Sequence, residues 1–492
     1  MISTLRPYQL QIDGMIRQSF MAGNRKIMVM APTGAGKTKL AANLVCNAHA
    51  KGRRVAFVVP FISLIDQTLA SFEAEGLRPF IDMGVIQADH PMTNYSAPIL
   101  ICSIDTLSRK SEFPPVDLVI IDEAHRHNKY MWSWMKAVDI PFIGLSATPW
   151  SKGLAKHYDD LVIGITTQEL IDQGFLSGFL VFAPSAPDLS GVDVVAGDFH
   201  QGQLAEVSST PELIGSIVDT WLEDGIGRPT LCYAVDCAHA RKIQAEFLSR
   251  GINAGYIDAH TDLEERQAIA KQFHDGVISI VVNVGTLVAG IDWDVRCLII
   301  AVSTKSEIKF VQIVGRGLRT AEGKDYCLIL DHSDTHNRLG FVTDIHHDTL
   351  DDGKPKEKST KSEKDEKLPK PCVKCGCLCK GACPSCGFIA QRQSEVENGK
   401  GELIEMGAKG KKDKSATPQE KQEIWGMLAH YAATKNYSKG WVYHTCREML
   451  GSIPQRQDVP MLPPSAKVLN FIKHKMIKNS KRRSNTSKTV SA

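Results

Sequence analysis

The 492-residue sequence contains no apolar run that approaches the roughly 18 residues needed to span a membrane. The stretch Met1 to Gln9 lacks the basic and hydrophobic regions of a signal peptide. Bulk charge is also small, at a formal net +3, which does not by itself identify a nucleic-acid partner. We therefore expect a cytoplasmic protein with no membrane partner, whose 43% hydrophobic content is enough to fill two or three separate cores.

Cysteine, by contrast, is plentiful, and a cluster of cysteines follows residue 370 in a chain that shows no export signal. This context favours metal binding over disulfides. Two Cys-x2-Cys pairs have the spacing of zinc knuckles that meet in one four-sulfur site, and the expected Zn²⁺ ligands are Cys372, Cys375, Cys383 and Cys386. Such a site is structural, because four thiolates leave no open position for catalysis. Cys377 and Cys379 leave the choice of ligands open, and free or redox-reactive thiols are the alternative.

Short apolar runs alternate with helical patterns twice along the chain, which predicts two α/β lobes, each with a parallel sheet covered on both faces. The expected strands are 26–31, 55–59, 99–101, 116–121 and 142–145 in the first lobe, and 231–235, 277–283, 297–301 and 326–330 in the second.

Composition divides the chain further. The stretch before the cysteine cluster is dominated by charges of both signs and cannot bury a core. Thr417, Pro418 and Glu420 have the pattern of a helix start. We predict a first lobe at 1–165, a crossing segment at 166–205, a second lobe at 206–345, a charged linker at 346–370, a zinc-binding element at 371–390, a polar linker at 391–416, a small helical unit at 417–477 and a basic disordered tail at 478–492.

The segment Ala-Pro-Thr-Gly-Ala-Gly-Lys-Thr at 31–38 follows an expected strand and opens a helix, as a phosphate-binding loop does. Glycine lets backbone N–H groups point at phosphate oxygens, and the helix N-terminus adds positive potential. We expect Lys37 to hold the β and γ phosphates of ATP and Thr38 to ligate Mg²⁺. The remaining expected contacts are Thr33, Gly34, Ala35 and Gly36. A glycine-rich turn without a ligand is the alternative.

Two adjacent carboxylates, Asp122 and Glu123, follow the expected strand that ends at Ile121. An open α/β sheet binds its ligand at this edge. Asp122 can position Mg²⁺, and Glu123 can orient and deprotonate an attacking water. A solvated acidic loop is the alternative, and the phosphate loop upstream favours the functional interpretation.

Taken in order, these motifs resemble the DEAH-type helicases of superfamily 2, which implies two RecA-like lobes in tandem. Arg6-Pro7-Tyr8-Gln9 resembles the adenine-reading element, with Gln9 as the base contact. The resemblance also places His125 at the ATP site, and Ser146-Ala-Thr-Pro149 matches the motif that links ATP state to the grip on nucleic acid. The stretch from Asn283 to Asp292 resembles the fifth motif, with Gly290 and Asp292 as contacts.

Residues 312–319, Gln-Ile-Val-Gly-Arg-Gly-Leu-Arg, match the sixth motif of the same family, whose side chains Gln312, Arg316 and Arg319 are implied to be catalytic across the cleft. A guanidinium supplied from a second lobe stabilises the transition state only when the cleft is closed, so hydrolysis is tied to lobe movement. Arg316 and Arg319 lie three apart and share one face if both are helical. An ordinary basic helix surface is the alternative.

The C-terminal residues resemble RadD-type bacterial and phage helicases, in which a cysteine-rich zinc element follows the ATPase lobes. We interpret Trp425 and Trp441 as parts of a small core rather than as base-stacking surfaces. The resemblance implies an ATP-dependent DNA helicase or translocase in repair, recombination or replication, with ATP, Mg²⁺ and structural Zn²⁺ as cofactors and repair or replication proteins as partners. It favours DNA over RNA, which the residues alone do not distinguish.

Three alternatives stay open. An RNA helicase would share every motif described. The motor of a restriction system would also share them, but the chain shows no nuclease constellation and would need a partner subunit. A zinc-dependent nucleic-acid-binding scaffold with an idle ATPase is disfavoured, because decayed ATPases should lose at least one of the six key residues, namely Lys37, Thr38, Asp122, Glu123, Arg316 and Arg319.

Overall fold

The computed structural model describes residues 4–77, 81–87, 90–285, 293–354, 368–389 and 418–450, together with short stretches at 452–454, 458–465, 467–469, 471–472 and 475. Contacts divide the chain into two compact units, Met1–Gln393 and Ser394–Ala492. Among the described residues, no helix is long and apolar enough to cross a membrane. The predicted polar linker and basic tail lie outside the described residues, as does most of the charged linker.

The first lobe is a seven-stranded parallel sheet flanked by helices. Its strands are nearly continuous apolar runs, as expected where helices cover both faces. The strands are β1 Lys26–Met30, β2 Val55–Val59, β3 Met83–Ile86, β4 Ile99–Ser103, β5 Leu118–Asp122, β6 Phe142–Ser146 and β7 Asp160–Ile163. The helices are α1 Pro7–Met21, α2 Lys37–His49, α3 Ile65–Ala74, α4 Ile104–Leu107, α5 Lys129–Ala137 and α6 Thr167–Asp172.

The spatial order of the first sheet is β3-β4-β2-β5-β6-β1-β7. In its parallel register, Met30 at the end of β1 pairs with Ser146 of β6, and Asp122 at the end of β5 pairs with Leu145. The carboxyl ends of these three strands therefore meet at one edge, which is where open α/β sheets bind ligands.

The second lobe is a six-stranded parallel sheet of order β12-β13-β11-β14-β15-β8. Its strands are β8 Gly178–Phe182, β11 Thr230–Tyr233, β12 Ala254–Ile257, β13 Ile280–Asn283, β14 Cys297–Ile300 and β15 Tyr326–Asp331. A short hairpin, β9 Val194–Val195 and β10 Asp198–Phe199, precedes its helices. These are α7 Gln201–Ser208, α8 Pro211–Asp224, α9 Cys237–Ser249, α10 Leu263–His274, α11 Glu307–Gly317 and α12 Thr335–Leu339.

The two tandem α/β lobes confirm the predicted fold class, and every strand expected from the sequence is present within a few residues of its expected bounds. One boundary is corrected. The segment 166–205, predicted to cross between lobes, contains β8, which pairs with β15 and belongs to the second sheet. The sequence pattern missed it because β8 is only half-buried and stands alone before a proline-rich stretch.

Two smaller elements follow. The cysteine-rich element has the antiparallel strands β16 Lys370–Pro371 and β17 Leu378–Cys379, and Cys377 forms an isolated antiparallel bridge with Phe182 at the end of β8. The C-terminal unit contains α13 Pro418–Lys435 and α14 Lys439–Leu450. Trp425, as expected, belongs to its core, whereas Trp441 is only partly buried against that core.

Candidate nucleotide site and cysteine cluster

The loop between β1 and α2 has the conformation of an anion cradle. Gly34 and Gly36 have φ values of 84° and 74°, a left-handed conformation that glycine adopts without strain. Gly36 directly precedes α2, and no side chain caps this helix N-terminus. The first backbone N–H groups of α2 therefore remain available to an anion, and the helix dipole favours negative charge there.

Two side chains of the first helix turn hold this loop. The Tyr8 hydroxyl donates to the Ala35 carbonyl at 3.0 Å. The Gln9 amide donates to the carbonyls of Ala35 and Gly36 at 3.0 and 3.2 Å. Gln9, predicted to contact the adenine, is thus engaged by the loop itself in this structure, and its contact with a base stays a prediction.

Lys37 and Glu123 face each other across the phosphate loop. The Lys37 Nζ lies 3.4 Å from Glu123 Oε1, and His125 Nδ1 lies 3.3 Å from Glu123 Oε2. Glu123 has a φ of 48°, which is uncommon for a residue with a side chain and is found mostly where function demands it. This turn follows β5 directly and leaves the carboxylate beside Lys37.

The two carboxylates differ electrostatically. Burial and the neighbouring Glu123 raise the pKa of Asp122 to about 6, although Lys37 opposes the rise. Burial also acts against ionisation of Glu123, but Lys37 and His125 outweigh it and lower its pKa to about 2. Lys37 and His125 thus favour the ionised form of Glu123, whereas Asp122 is a carboxylate whose charge a divalent cation would stabilise.

His125 connects this pair to the rest of the cleft. Its Nδ1 lies 2.8 Å from Ser146 Oγ, which also accepts a hydrogen bond from the Thr148 backbone at 3.0 Å. Its Nε2 lies 3.4 Å from Nε2 of Gln312 in α11 of the second lobe. The predicted ATP motif, the Ser146 to Pro149 motif and the sixth motif are therefore in contact through one buried histidine.

The second lobe approaches the phosphate loop closely. A Cβ placed on Gly315 would lie 2.7 Å from the Thr33 Cβ, and a Cβ placed on Gly34 would lie 2.7 Å from Leu176 and 3.9 Å from the Arg319 Cγ. Glycine is therefore needed on both sides of this contact. Arg316 is buried, with 8% of its surface exposed, and Arg319 is half-buried.

One expectation about the arginines is wrong in detail. Helix α11 ends at Gly317, so Arg316 and Arg319 do not share a helix face. Arg319 instead forms an isolated antiparallel bridge with Leu176. Lys324 donates hydrogen bonds to the carbonyls of Gly317 and Arg319 at 2.6 Å each. These bonds satisfy carbonyl groups at the C-terminal end of the helix, which have no partner within it. Arg319 reaches the loop through this turn rather than through helical spacing.

The structure thus groups most of the predicted site residues around one loop. Thr38 is the second residue of α2, and Asp122 is the last of β5. Gly290 and Asp292 lie outside the described residues. Leu176 was missed because its contact with Gly34 is made through tertiary structure, and Lys324 was missed because no sequence motif marks its bonds to the carbonyls of Gly317 and Arg319. Tyr8 could have been found, since it belongs to the quoted motif Arg6–Gln9.

The four predicted cysteine ligands converge. The sulfurs of Cys372, Cys375, Cys383 and Cys386 all lie within 4.8 Å of one another. The Cys372–Cys386 and Cys375–Cys383 distances are 3.7 and 3.5 Å. Four sulfurs at about 2.3 Å from one tetrahedral ion would be about 3.8 Å apart. The cluster therefore fits a four-thiolate metal site.

The knuckle turns explain how the sequence builds this cluster. Gly376 and Gly387 have φ values of 77° and 69°, and their N–H groups donate to the carbonyls of Cys372 and Cys383 at 2.8 and 2.9 Å. Cys377 is outside the cluster and fully buried against the second lobe. Cys379 is also outside it, with its sulfur 3.7 Å from the Lys370 carbonyl. Of the six cysteines between 372 and 386, the two Cys-x2-Cys pairs are therefore the ones whose sulfurs are grouped, which favours them as the ligands.

Comparison with known proteins gives two family matches. Residues 2–151 match the model described as "Type III restriction enzyme, res subunit". Residues 213–321 match the model described as "Helicase conserved C-terminal domain". The first match covers the phosphate loop and the carboxylates, and the second covers the sixth motif.

Among curated relatives, the Saccharomyces cerevisiae protein named "Putative ATP-dependent helicase IRC3" is 30% identical over 66% of this chain and 51% of its own length. The chain therefore spans about half the length of that relative. A Lactococcus phage protein named "51.5 kDa protein" is 27% identical over 73% of this chain and 77% of its own length.

Among solved structures, "The fragment structure of a putative HsdR subunit of a type I restriction enzyme from Vibrio vulnificus YJ016" has a TM-score of 0.55 at 19% identity, over 72% of this chain and 70% of that one. This likeness establishes the fold alone. With the two family models in this order on one chain, and with the motif residues grouped in one cleft, the chain belongs to the superfamily 2 helicases and has the fold of their restriction-enzyme branch.

Proposed function

We propose that this chain is an ATP-dependent DNA helicase or translocase, which hydrolyses ATP in the cleft between its lobes and couples each cycle to movement on DNA or to its remodelling. The observation that carries the proposal is the contact of Gln312 in the second lobe with His125, which in turn lies beside Glu123 in the first lobe. An enzyme that acts within one lobe seldom requires a contact of this kind. A motor requires it, because its second lobe must respond to the nucleotide bound at the first.

Each residue of the candidate site has a separate proposed role in ATP hydrolysis. Lys37 would neutralise the β and γ phosphates, and the loop N–H groups would hold their oxygens. Glu123 is ionised and would orient the attacking water and accept its proton. Thr38 and Asp122 would hold Mg²⁺, which supplies neutralisation of the developing charge when bound. Arg316 and Arg319 would stabilise that charge from the second lobe only when the cleft is closed.

The four clustered cysteines would hold Zn²⁺ as a structural ion. All four are thiolate donors, which Zn²⁺ prefers, and none is left to bind a substrate. DNA is proposed over RNA because the relatives include a Pyrobaculum calidifontis protein named "ATP-dependent DNA helicase Hel308". A role in repair, recombination or replication and the protein partners it implies remain predictions from the sequence resemblance, and a cytoplasmic location remains a prediction from the sequence composition.

A second candidate function is the motor of a restriction-type system. It is favoured by the restriction-subunit model over residues 2–151 and by the fold likeness to type I and type ISP restriction enzymes. This function needs a nuclease partner, since the sequence shows no nuclease constellation. Cleavage of DNA by the purified chain with ATP and Mg²⁺ would contradict that expectation.

The test is steady-state ATP hydrolysis by the purified chain, alone and with single-stranded DNA, forked duplex or RNA, with Glu123→Gln as the blank. We expect stimulation by DNA above stimulation by RNA, followed by strand separation or displacement of a bound protein on the stimulating substrate. Stimulation by RNA alone would replace the DNA proposal with an RNA helicase. Hydrolysis in the Glu123→Gln variant at the wild-type rate would contradict the assigned site.

A further inference from the structure

The C-terminal unit contains a stretch without acidic residues that plays no part in the ATP site. Between Glu423 and Glu448 the sequence has no Asp or Glu, whereas Lys435 and Lys439 both occur there. Both lysines are exposed at the turn between α13 and α14. The turn is therefore a locally cationic surface in a chain whose net charge is only +3.

Three aromatic rings meet at the same turn. The Tyr437 and Trp441 ring centroids are 4.8 Å apart, those of Tyr431 and Trp441 are 5.8 Å apart, and those of Tyr431 and Tyr437 are 6.4 Å apart. The interplanar angles are 15°, 23° and 20° in the same order, so the rings are nearly parallel. Tyr437 has 39% of its surface exposed, whereas Tyr431 and Trp441 pack against the core of the unit.

The backbone fixes the exposed ring. Helix α13 ends at Lys435, and Asn436 then adopts a left-handed conformation with a φ of 57°. The Tyr437 N–H donates to the Ala432 carbonyl at 2.8 Å, which is the bond of a Schellman C-cap. The Trp441 N–H donates to the Ser438 carbonyl at 2.9 Å. The ring of Tyr437 is thus held in place before any ligand binds, which lowers the entropic cost of binding.

We propose that this turn binds single-stranded nucleic acid, with an unpaired base stacked on Tyr437 and with Lys435 and Lys439 close to the flanking phosphates. Aromatic platforms with cationic flanks accept any base, because every base has a π-face. The lack of carboxylates favours a polyanion over a protein surface as the ligand. This site lies outside the ATPase lobes, and its binding requires no hydrolysis.

The test measures binding of the full chain without ATP to a labelled oligothymidine and to an abasic strand of equal length. Tyr437→Ala should weaken oligothymidine binding by at least about fivefold, the effect of one lost stacking contact, and should reduce the preference for oligothymidine over the abasic strand. Tyr437→Trp should keep that preference. Leu469→Ala, which alters a residue 43% exposed in the same unit, should bind as the wild type does. Basal ATP hydrolysis should be unchanged in all three variants.

A second measurement tests the lysines. Replacing Lys435 and Lys439 by Gln should reduce the salt dependence of binding by about 0.7 per lysine in the slope of log K against log salt. The proposal is overturned if Tyr437→Ala binds oligothymidine like the wild type, if it weakens both strands equally, or if the salt slope is unchanged. Because ATP is absent, a chain that failed the hydrolysis test above would still give the predicted result here.

Discussion

The two lobes have the same strand order, yet the predicted phosphate loop lies in the first lobe. Position by position, β3-β4-β2-β5-β6-β1 in the first sheet corresponds to β12-β13-β11-β14-β15-β8 in the second. After β1 comes the glycine loop that opens α2, whereas after β8 comes the proline-rich stretch 183–187. After Ile121 of β5 come Asp122 and Glu123, whereas after β14 come the apolar residues Ala301 and Val302.

This difference between the lobes shows that the shared fold supplies the sheet edge, whereas the local sequence supplies the residues that could bind a ligand there. Both sheets present a carboxyl edge at which a ligand can bind. Within the described part of the chain, the first edge alone combines two positive-φ glycines in one loop, a 13-residue helix with no side-chain cap at its N-terminus and two adjacent carboxylates. The second lobe contributes its residues from helix α11 and the turn after it, which contact the first lobe at Thr33 and Gly34. This arrangement is what the proposed motor requires, with the nucleotide bound by one lobe and the site completed by the other on closure.

The largest expected effect comes from removing the contribution of the second lobe. Arg319→Ala should lower kcat for ATP hydrolysis by about 1000-fold, because the guanidinium stabilises charge that develops in the transition state. ATP affinity should change only a few-fold. Arg250→Ala, an exposed arginine of the same lobe in surface ion pairs with Asp219 and Glu246, is the matched control and should hydrolyse normally. A fully active Arg319→Ala variant would assign the role to Arg316 alone.

The carboxyl ends of β6 and β15 offer a second contrast. Ser146 holds His125 in the first lobe, whereas the buried Asp331 holds His336 Nδ1 at 2.8 Å in the second. Burial opposes ionisation of Asp331, but hydrogen bonds from His336 and Ser333 outweigh it and lower its pKa to about 2. The unfolded value is about 3.9, so this pair stabilises the fold above about pH 4, and the stabilisation is lost as the pH falls towards 2.

Asp331→Asn should therefore lower the free energy of unfolding at pH 7 by about 3 kcal/mol, the effect of breaking a buried pair. Urea midpoints measured between pH 6 and pH 3 should fall less steeply in this variant than in the wild type. Asp325→Asn, an exposed carboxylate next to the other end of β15, is the control. Parallel pH profiles for wild type and Asp331→Asn would refute the linkage.

The close contact between the two lobes can be tested by replacing a glycine at that contact. Gly315→Ala would place a Cβ 2.7 Å from Thr33 and should lower kcat about tenfold by holding the cleft open, without lowering the melting temperature. Gly215→Ala in α8 has nothing within 4 Å of its Cβ and should be neutral. If Gly315→Ala hydrolyses ATP at the wild-type rate, the lobes do not need this contact.

The smallest effect on hydrolysis is expected at the cysteine cluster. Cys372→Ser should release the bound metal, detected by elemental analysis, and should lower the melting temperature, because Cys377 and Leu378 of this element are buried against the second lobe. Basal ATP hydrolysis should stay within about twofold of wild type, since the clustered cysteines pack against one another and against β8 rather than against the phosphate loop. Cys237→Ser, an exposed cysteine outside the cluster, is the control and should keep the metal. A metal content unchanged by Cys372→Ser would exclude this cluster as the site.

Much of the fold and of the candidate site could be predicted from the sequence, because the motifs that define them are local. The phosphate loop, the adjacent carboxylates and the cysteine pairs each occupy a few consecutive residues, so spacing alone predicts their geometry. Buried parallel strands were equally clear where the apolar run was continuous, as in β2. The strand β8 was missed because half-burial removes that signal.

What the sequence did not predict depends on contacts that no motif marks. Leu176 meets Gly34 from far along the chain, and Lys324 folds back on the end of α11 only seven residues before it. The end of α11 at Gly317 was also missed, because the helical spacing of Arg316 and Arg319 was assumed to continue. Tertiary packing, here the bridge between Arg319 and Leu176, decided where the helix stops.

The most direct test of the proposed motor is the ATP hydrolysis rate of wild type and of Lys37→Ala, each with and without single-stranded DNA. Lys51→Ala, an exposed lysine in the turn after α2, serves as the control. We predict that DNA raises the wild-type and Lys51→Ala rates several-fold, whereas Lys37→Ala falls at least about 100-fold and shows no response to DNA. Equal rates in wild type and Lys37→Ala would contradict the assignment of the nucleotide site and, with it, the proposed motor.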